Sequence, residues 1–63
     1  MVNVMDLQPG DKIEMSDGST AEVVSNPRDG IWIQVRYLSD PDNPDRVGAE
    51  EMLFAEEIVD VVS

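Results

Sequence analysis

The acidic segment over residues 39–51 holds the side chains with the clearest capacity for chemistry. Its oxygens are of the kind that hard cations bind. They belong to Asp40, Asp42, Asn43, Asp45, Glu50 and Glu51. With Asp40 as the first position of an EF-hand loop, Asp42 and Glu51 fall at the third and twelfth positions. A proline and an aspartate then occupy the fifth and sixth positions, where that loop requires a ligand and a glycine. The sequence therefore predicts a solvated loop in which Asp and Pro form turns, and no specific metal site. If a cation did bind here, the candidate ligands would be Asp40, Asp42 and Glu51.

A second group of residues could bind a protein. The alternation of the third predicted strand places Trp32, Gln34 and Arg36 on its outward face. Val24 is expected beside Trp32 on the neighbouring strand. Trp and Arg contribute strongly to the binding energy of protein interfaces. The predicted partner-binding patch consists of Trp32, Arg36, Val24 and Gln34. The alternative is that Trp32 covers a second small core against the acidic segment or the N-terminal residues.

The chain lacks the side chains on which most catalysis depends. It contains no cysteine and no histidine, so the usual nucleophile–base pairs and metal ligands are missing. Paired carboxylates occur at Glu50-Glu51 and Glu56-Glu57, but acid–base catalysis by two carboxylates needs a cleft that separates their environments. A chain of 63 residues has little room for such a cleft. We expect no enzyme activity and no cofactor.

The charge of the chain is strongly negative, with 14 acidic residues, four basic residues and a formal charge of −10. Such a chain repels nucleic-acid phosphates and anionic lipids and attracts basic partners. We expect a protein partner and no direct contact with nucleic acid or a membrane. An alternative function is an acidic mimic of nucleic acid that occupies the basic groove of a DNA- or RNA-binding protein. Its phosphate-like carboxylates would be Glu14, Glu22, Asp40, Asp42 and Asp45.

The elements that position these residues begin with a hairpin. Residues 11–15 alternate polar and apolar, which predicts a half-buried strand with Ile13 and Met15 inward. Residues 16–19 are typical of a tight turn, and residues 20–26 form a second, β-branched strand.

The apolar pattern also favours one pairing register for this hairpin. A three-residue loop over residues 17–19 sets Ile13 opposite Val23, so that the apolar residues share one face. The same register sets Glu14 opposite Glu22, which is a like-charge pair on the solvent side.

Residues 31–38 form the longest predicted strand, because apolar and polar residues alternate along it. Its inward residues are expected to be Ile31, Ile33, Val35 and Tyr37. A turn over residues 27–30 precedes it, since Pro27 presets the first turn position and Gly30 permits a left-handed exit.

The C-terminal third allows two interpretations. Residues 51–54 and 58–62 can form the fourth and fifth strands, joined by one 3-10 turn. Alternatively, residues 48–57 form a short helix on a three-stranded sheet, because they include good helix formers. In the first interpretation the last strand has more apolar residues than one inward face requires, the additional ones being Val59 and Val62. The edge of this strand could therefore accept a partner strand.

Three features of the chain recur in one group of folds. They are a Pro9-Gly10-Asp11 entry into the first strand, a meander whose turns contain glycine, and a 3-10 turn over residues 55–57 before the last strand. In this order the chain resembles the SH3-like small barrels, a superfamily that includes KOW-type modules and a small accessory protein of photosystem I. The resemblance covers residues 7–62 and implies an all-β, five-stranded SH3-like barrel with one 3-10 turn.

The functions of those families are not carried over to this chain. KOW-type modules often bind RNA through basic loops, whereas this chain has four basic residues in all. Peptide-binding SH3 domains hold proline-rich ligands with several aromatic residues, and this chain has one Trp, one Tyr and one Phe. We therefore predict a small acidic module that is non-catalytic and binds a protein partner.

The whole chain is expected to form one domain over residues 1–63, with residues 1–6 frayed. Met1, Met5 and Leu7 are expected to pack on one end of the barrel or to contact another chain. The first seven residues carry no basic residue and do not fit a secretory signal, and no apolar stretch is long enough to span a membrane. We expect a cytoplasmic location and a monomer or weak homodimer.

Overall fold

The computed structural model describes residues 3–62, which form five antiparallel strands and three short 3-10 turns. The strands are β1 (Lys12–Met15), β2 (Thr20–Ser25), β3 (Trp32–Ser39), β4 (Glu50–Phe54) and β5 (Ile58–Val61). The 3-10 turns span Val4–Asp6, Pro44–Arg46 and Ala55–Glu57. No helix in this part of the chain has the length and apolar character needed to cross a membrane. The all-β class, the five strands and the 3-10 turn before the last strand are confirmed.

The alternative helix over residues 48–57 is wrong, although its residues are good helix formers. Strand β4 pairs with β3 along its full length, from Arg36 opposite Glu50 to Trp32 opposite Phe54. The helix propensities of ordinary residues differ by less than about 0.7 kcal/mol per residue. Pairing with the longest strand and burial of Leu53 outweigh this preference.

The order of the strands requires a strongly curled sheet. The order is β4-β3-β2-β1-β5, so β4 and β5 lie at opposite edges, yet only residues 55–57 connect them. In a flat sheet, four inter-strand spacings would separate these edges by about 19 Å. A 3-10 turn advances only about 2 Å per residue. The sheet therefore curls until its edges approach each other, which gives it the form of a small barrel.

One hydrophobic cluster fills the inside of the curled sheet. Its members are Val4, Leu7, Ile13, Met15, Ala21, Val23, Ile33, Val35, Tyr37, Leu53 and Ile58. The strands contribute alternate residues to it, as the period of a pleated strand requires. The predicted inward positions of Ile13 and Met15 are confirmed.

The first hairpin has a different register from the predicted one. Ile13 lies opposite Ala21, not opposite Val23, and Glu14 lies opposite Thr20, not opposite Glu22. The two registers differ by two residues, so each keeps the apolar residues on one face, and the apolar pattern does not distinguish them.

Local interactions account for the register that forms. Lys12 lies opposite Glu22, so the strands place opposite charges side by side. In the turn, the carboxylate of Asp17 accepts hydrogen bonds from the backbone N–H and the hydroxyl of Ser19. Ser19 is fully buried, and Gly18 adopts a φ of 89°, which glycine adopts without steric cost.

Strand β3 begins at Trp32, one residue later than predicted, and the expected inward position of Ile31 is wrong. Ile31 is 49% exposed. The Oδ1 atom of Asp29 accepts hydrogen bonds from the N–H groups of Ile31 (2.8 Å) and Trp32 (3.0 Å). These bonds extend the turn and delay the start of the strand. The rest of the predicted inward set, Ile33, Val35 and Tyr37, is buried.

The N-terminal segment is tied to the end of β2. The Nδ2 atom of Asn26 donates hydrogen bonds to the backbone oxygens of Val4 (2.8 Å) and Leu7 (2.9 Å). Leu7 is buried as predicted, whereas Met5 is 46% exposed. The predictions that concern Met1, and the fraying of residues 1 and 2, lie outside the described residues.

Candidate functional site: the outer face of strands β3 and β4

Strands β3 and β4 place three residue pairs side by side on the outer face of the sheet. The cross-strand pairs are Trp32–Phe54, Gln34–Met52 and Arg36–Glu50. The rings of Trp32 and Phe54 meet edge to face, with centroids 5.3 Å apart and planes inclined by 66°. This is a favoured geometry for two aromatic rings. The outer face therefore has an apolar end and a charged end.

Trp32, Met52 and Phe54 form the apolar end, which we call the aromatic patch. Their exposed fractions are 43%, 54% and 39%. The three side chains lie on adjacent strands and line one groove together, so they form one apolar surface. The outward position predicted for Trp32 agrees with this arrangement, and its ring packs on Phe54.

At the charged end, four strands contribute alternating charges to one row. The row consists of Lys12, Glu22, Arg36 and Glu50. Nη2 of Arg36 donates a hydrogen bond to Oε2 of Glu50 at 2.7 Å. This bond and the charge of Glu50, followed by the charge of Glu22, raise the pKa of Arg36 above its ordinary value. The charge of Arg36 is already balanced by Glu50. Arg36 is therefore less available to pair with an acidic group of a partner than the sequence alone suggested.

Val24 does not lie beside Trp32 as predicted. The register between β2 and β3 shifts between Val23 and Ser25, so Val24 is the extra residue of a β-bulge. It is half-buried. The residue directly opposite Trp32 is Phe54, on the other neighbouring strand. Of the predicted patch, Trp32, Gln34 and Arg36 share the outer face of β3.

Met52 and Phe54 belong to the site although neither was predicted as a member of it. The alternation of the fourth strand around Leu53 was the available signal, because it places Met52 and Phe54 together on the opposite face. That signal does not show which strand lies next to β4. Phe54 contacts Trp32 only because β4 pairs with β3.

The acidic segment is organised around a guanidinium group. Arg46 donates hydrogen bonds through Nε and Nη2 to the two carboxylate oxygens of Glu51, at 3.1 and 3.3 Å. Its Nη1 donates to Oδ2 of the buried Asp40 at 3.4 Å. Its guanidinium carbon lies 4.1 Å from the centroid of the Tyr37 ring, which is a cation–π contact. We call Arg46, Asp40, Glu51 and Tyr37 the arginine cluster.

The arginine cluster holds two of the three metal candidates, Asp40 and Glu51, in contact with Arg46. The third candidate, Asp42, is exposed. Within residues 3–62, no group of three or more acidic side chains is placed to hold a metal ion.

Protonation in the arginine cluster follows from its contacts. The hydrogen bond from Arg46 to Glu51 is the largest cause that raises the pKa of Arg46 above its ordinary value. Burial raises the pKa of Tyr37, and the charge of Arg46 opposes part of this rise. At neutral pH the cluster therefore contains a charged arginine against a neutral tyrosine ring.

The five carboxylates expected of a nucleic-acid mimic do not form one row. Asp40 is buried against an arginine, and Glu22 lies between the two cations of the charged row. Glu14, Asp42 and Asp45 are left. Asp42 and Asp45 share the connection between β3 and β4, whereas Glu14 lies on β1.

Comparison of the chain with protein-family models, with curated proteins and with solved structures finds no match. The resemblance to the SH3-like superfamily therefore stays a prediction from the sequence.

Proposed function

We propose that this chain is a non-catalytic protein-binding or accessory module, and that its aromatic patch contacts the partner protein. The observation that carries this proposal is the edge-to-face pair of Trp32 and Phe54, exposed together with Met52. Aromatic residues and methionine are enriched in the buried centres of protein interfaces. In this proposal Trp32 is the anchor, and Gln34 and Arg36 lie at the rim of the contact.

The charge of the chain favours a basic partner. A net charge of −10 attracts a basic surface over several ångströms and speeds its encounter, while apolar contact at the aromatic patch slows its release. The proposal includes a cytoplasmic location and a monomeric or weakly dimeric state. Cell fractionation and analytical ultracentrifugation test these two points.

Substitution of Trp32 tests the proposal, with Leu38 as the matched control. Leu38 lies on the same strand and is 37% exposed, but it stands outside the aromatic patch. We expect Trp32→Ala to lose affinity capture of the partner from extracts, whereas Leu38→Ala retains it. Trp32→Ala should lower the free energy of unfolding by about 1–2 kcal/mol, because the ring is only half-buried.

Two results would count against the aromatic patch. If Trp32→Ala leaves the chain unfolded, the ring is structural and the proposal loses its basis. If both variants capture the same proteins in equal amounts, the contact lies elsewhere on the surface.

The fluorescence of Trp32 gives an independent readout, because it is the single Trp of the chain. At 43% exposure its emission should be readily quenched by acrylamide in the free protein. Partner binding at the patch should shift the emission to shorter wavelength and reduce the quenching.

The nucleic-acid mimic is the alternative function. Its support is the net charge of −10. It ranks second because Asp40 and Glu22 lie beside basic residues and Glu14 lies on a different element from Asp42 and Asp45. Affinity for a basic groove that relies on carboxylates should fall steeply with salt. Binding of a basic partner at the aromatic patch also weakens with salt, but its apolar part persists and depends on Trp32. Capture that survives high salt and is lost in Trp32→Ala therefore favours the aromatic patch, whereas capture that high salt abolishes favours the mimic.

A further inference from the structure

Strand β4 is an edge strand whose outward peptide groups can be assigned from its hydrogen bonds. The N–H of Tyr37 donates to the oxygen of Ala49, and the N–H of Ala55 donates to the oxygen of Ile31. In an antiparallel ladder, hydrogen-bonded and non-hydrogen-bonded pairs alternate. The intervening pairs of Met52 and Phe54 with β3 are therefore non-hydrogen-bonded.

It follows that the N–H and C=O groups of Met52 and Phe54 point away from β3. Among residues 3–62 no strand pairs with that side of β4. The side chains of the same two residues belong to the aromatic patch. Strand β4 thus presents open peptide groups and exposed apolar side chains at the same positions, which is the arrangement that invites strand addition.

The opposite edge, strand β5, is protected in a way that β4 is not. The N–H of Val62 donates to the oxygen of Lys12, so the neighbouring N–H of Val61 points away from β1. This N–H donates to Oδ1 of Asp60 at 2.8 Å. The register with β1 also shifts between Ile58 and Asp60. The edge that the sequence predicted for strand addition is therefore irregular and partly occupied by its own side chain.

A groove of about 350 Å³ follows the edge of β4. The aromatic patch lines it from the outer face of β4, and Leu53 lines it from the inner face, so the groove lies along the edge itself. Asp17, Glu57 and Arg46 line it as well. Arg46 is paired with Asp40 and Glu51, so its charge is balanced. The carboxylates of Asp17 and Glu57 remain in the lining.

We propose that the partner adds an extended strand to β4 in this groove, and that apolar residues alternate with lysine or arginine along that strand. In antiparallel addition, residues hydrogen-bonded to Met52 and Phe54 place their side chains on the aromatic patch, which favours apolar types. The residues between them face the inner side, where Asp17 and Glu57 favour cations. This inference rests on the proposed function and adds the binding mode and the chemistry of the partner.

The charge of the chain argues against a second copy as the added strand. Two copies joined at β4 would bring together two chains of −10 each. Strand β4 itself carries Glu50 and Glu51, so the joined edges would bring four carboxylates into one interface. A basic segment removes this repulsion.

The test uses a short peptide of alternating lysine and valine, blocked at both ends, and two N-methylated versions of it. Methylation of the valine amides removes the N–H groups that face β4 in antiparallel addition, whereas methylation of the lysine amides alters those that face away. All three peptides carry the same charge. We expect valine methylation to weaken binding by about tenfold or more, and lysine methylation to have little effect.

Isothermal titration calorimetry measures the affinity, also for a variant that lacks Trp32, and hydrogen exchange of the amides of Met52 and Phe54 locates the peptide. Both amides should become protected on binding. Weakening by lysine methylation instead would support strand addition in the parallel direction. Equal affinity of all three peptides, no gain of amide protection, or no binding of the unmethylated peptide would each overturn strand addition.

Two protein variants separate this inference from the proposed function. Met52→Pro removes an outward N–H that makes no bond to β3, and an edge strand tolerates proline there. Met52→Ala keeps the N–H and removes the same apolar side chain, so it is the matched control. We expect Met52→Pro to bind the peptide about tenfold more weakly than Met52→Ala.

If Trp32→Ala loses the peptide while Met52→Pro binds like Met52→Ala, the aromatic patch stands and strand addition is overturned. If Met52→Pro loses the peptide while Trp32→Ala keeps it, strand addition stands and the role of the aromatic patch fails. Should Met52→Pro not fold, the methylated peptides decide the question on the unaltered chain.

Discussion

Asn26 connects three parts of the chain through one side chain. Its Nδ2 atom donates to the backbone oxygens of Val4 and Leu7, and its Oδ1 atom accepts from the N–H of Arg28 at 2.9 Å. An amide satisfies both needs because it carries two donor hydrogens and an acceptor. A carboxylate of the same size offers acceptors only.

We expect Asn26→Asp to lower the free energy of unfolding by about 2 kcal/mol, because it removes two donors and places a negative charge near two carbonyl oxygens. Asn43→Asp is the matched control, since Asn43 is exposed and its side chain caps nothing. Urea denaturation of both variants measures the difference. Equal losses in the two variants would contradict the anchoring role of Asn26.

Asp29 is exposed, and its carboxylate accepts hydrogen bonds from the backbone N–H groups of Ile31 and Trp32 at the start of β3. The bond from the N–H of Trp32, followed by that from Ile31, holds the pKa of Asp29 below its ordinary value of 3.8. A carboxyl group with a lower pKa in the folded chain stabilises the fold above its unfolded pKa. That contribution is lost as the pH falls through the lower, folded value.

We expect the wild type to be more stable than Asp29→Asn at pH 7, and the difference to close as the pH falls below about 4. Asparagine keeps the acceptor oxygen and removes the charge. Asp45→Asn makes the same change of charge at an exposed site and serves as the control. Chemical denaturation at a series of pH values measures the effect, and a difference between wild type and Asp29→Asn that stays constant at low pH would contradict it.

At the scale of elements, the connection between β3 and β4 depends on the arginine cluster. Asp40 directly follows β3, Arg46 closes the 3-10 turn of the connection, and Glu51 belongs to β4. Bidentate contact with Glu51 suits the planar guanidinium group, which a lysine does not reproduce. The carboxylate of Asp40 is buried, so removal of Arg46 leaves it without its charged partner.

We expect Arg46→Met to lower the free energy of unfolding by about 2 kcal/mol and Arg46→Lys by about half of that. These values allow for the partial exposure of the arginine side chain, which is 31%. Arg28→Met removes the same charge from an exposed turn and should have a small effect.

A double-mutant cycle checks that the loss arises from the pair of Arg46 and Asp40. Asp40→Asn keeps the hydrogen bonds that Oδ1 accepts from Asp42 and Asn43 and removes the charge. The double variant should therefore lose less stability than the sum of the two single variants. Strict additivity would show that the two side chains act independently.

At the scale of the whole molecule, charge opposes the compact fold. The net charge of −10 is spread over a chain with a radius of gyration of 10.4 Å, which is about one Debye length at 0.1 M salt. Like charges therefore repel each other across the molecule at low salt. The pair of Arg36 and Glu50 is exposed on the outer face and offsets little of this repulsion.

We expect the midpoint of thermal unfolding to rise as sodium chloride increases from about 10 mM to about 300 mM, because screening weakens the repulsion. Glu56→Gln, which removes one exposed carboxylate, should reduce this dependence. Differential scanning calorimetry measures both. A midpoint that falls with salt would show that favourable ion pairs outweigh the net repulsion.

Patterns within single segments of the sequence predicted the class of the fold and most of its inward residues. Alternation with a period of two identified the strands and buried positions such as Ile13 and Val35, because that period is a property of one strand alone. Turn residues located the connections for the same reason, since Gly18 and Gly30 act through their own backbone angles.

The neighbours of each strand, and the register between strands, could be read only from the folded chain. A shift of two residues leaves the apolar pattern unchanged, so the place of Ile13 opposite Ala21 was open to error. The contact of Phe54 with Trp32 joins residues on two strands that are distant in the chain. Such contacts depend on how the sheet curls and orders its strands, and it is this order that makes β4 an edge.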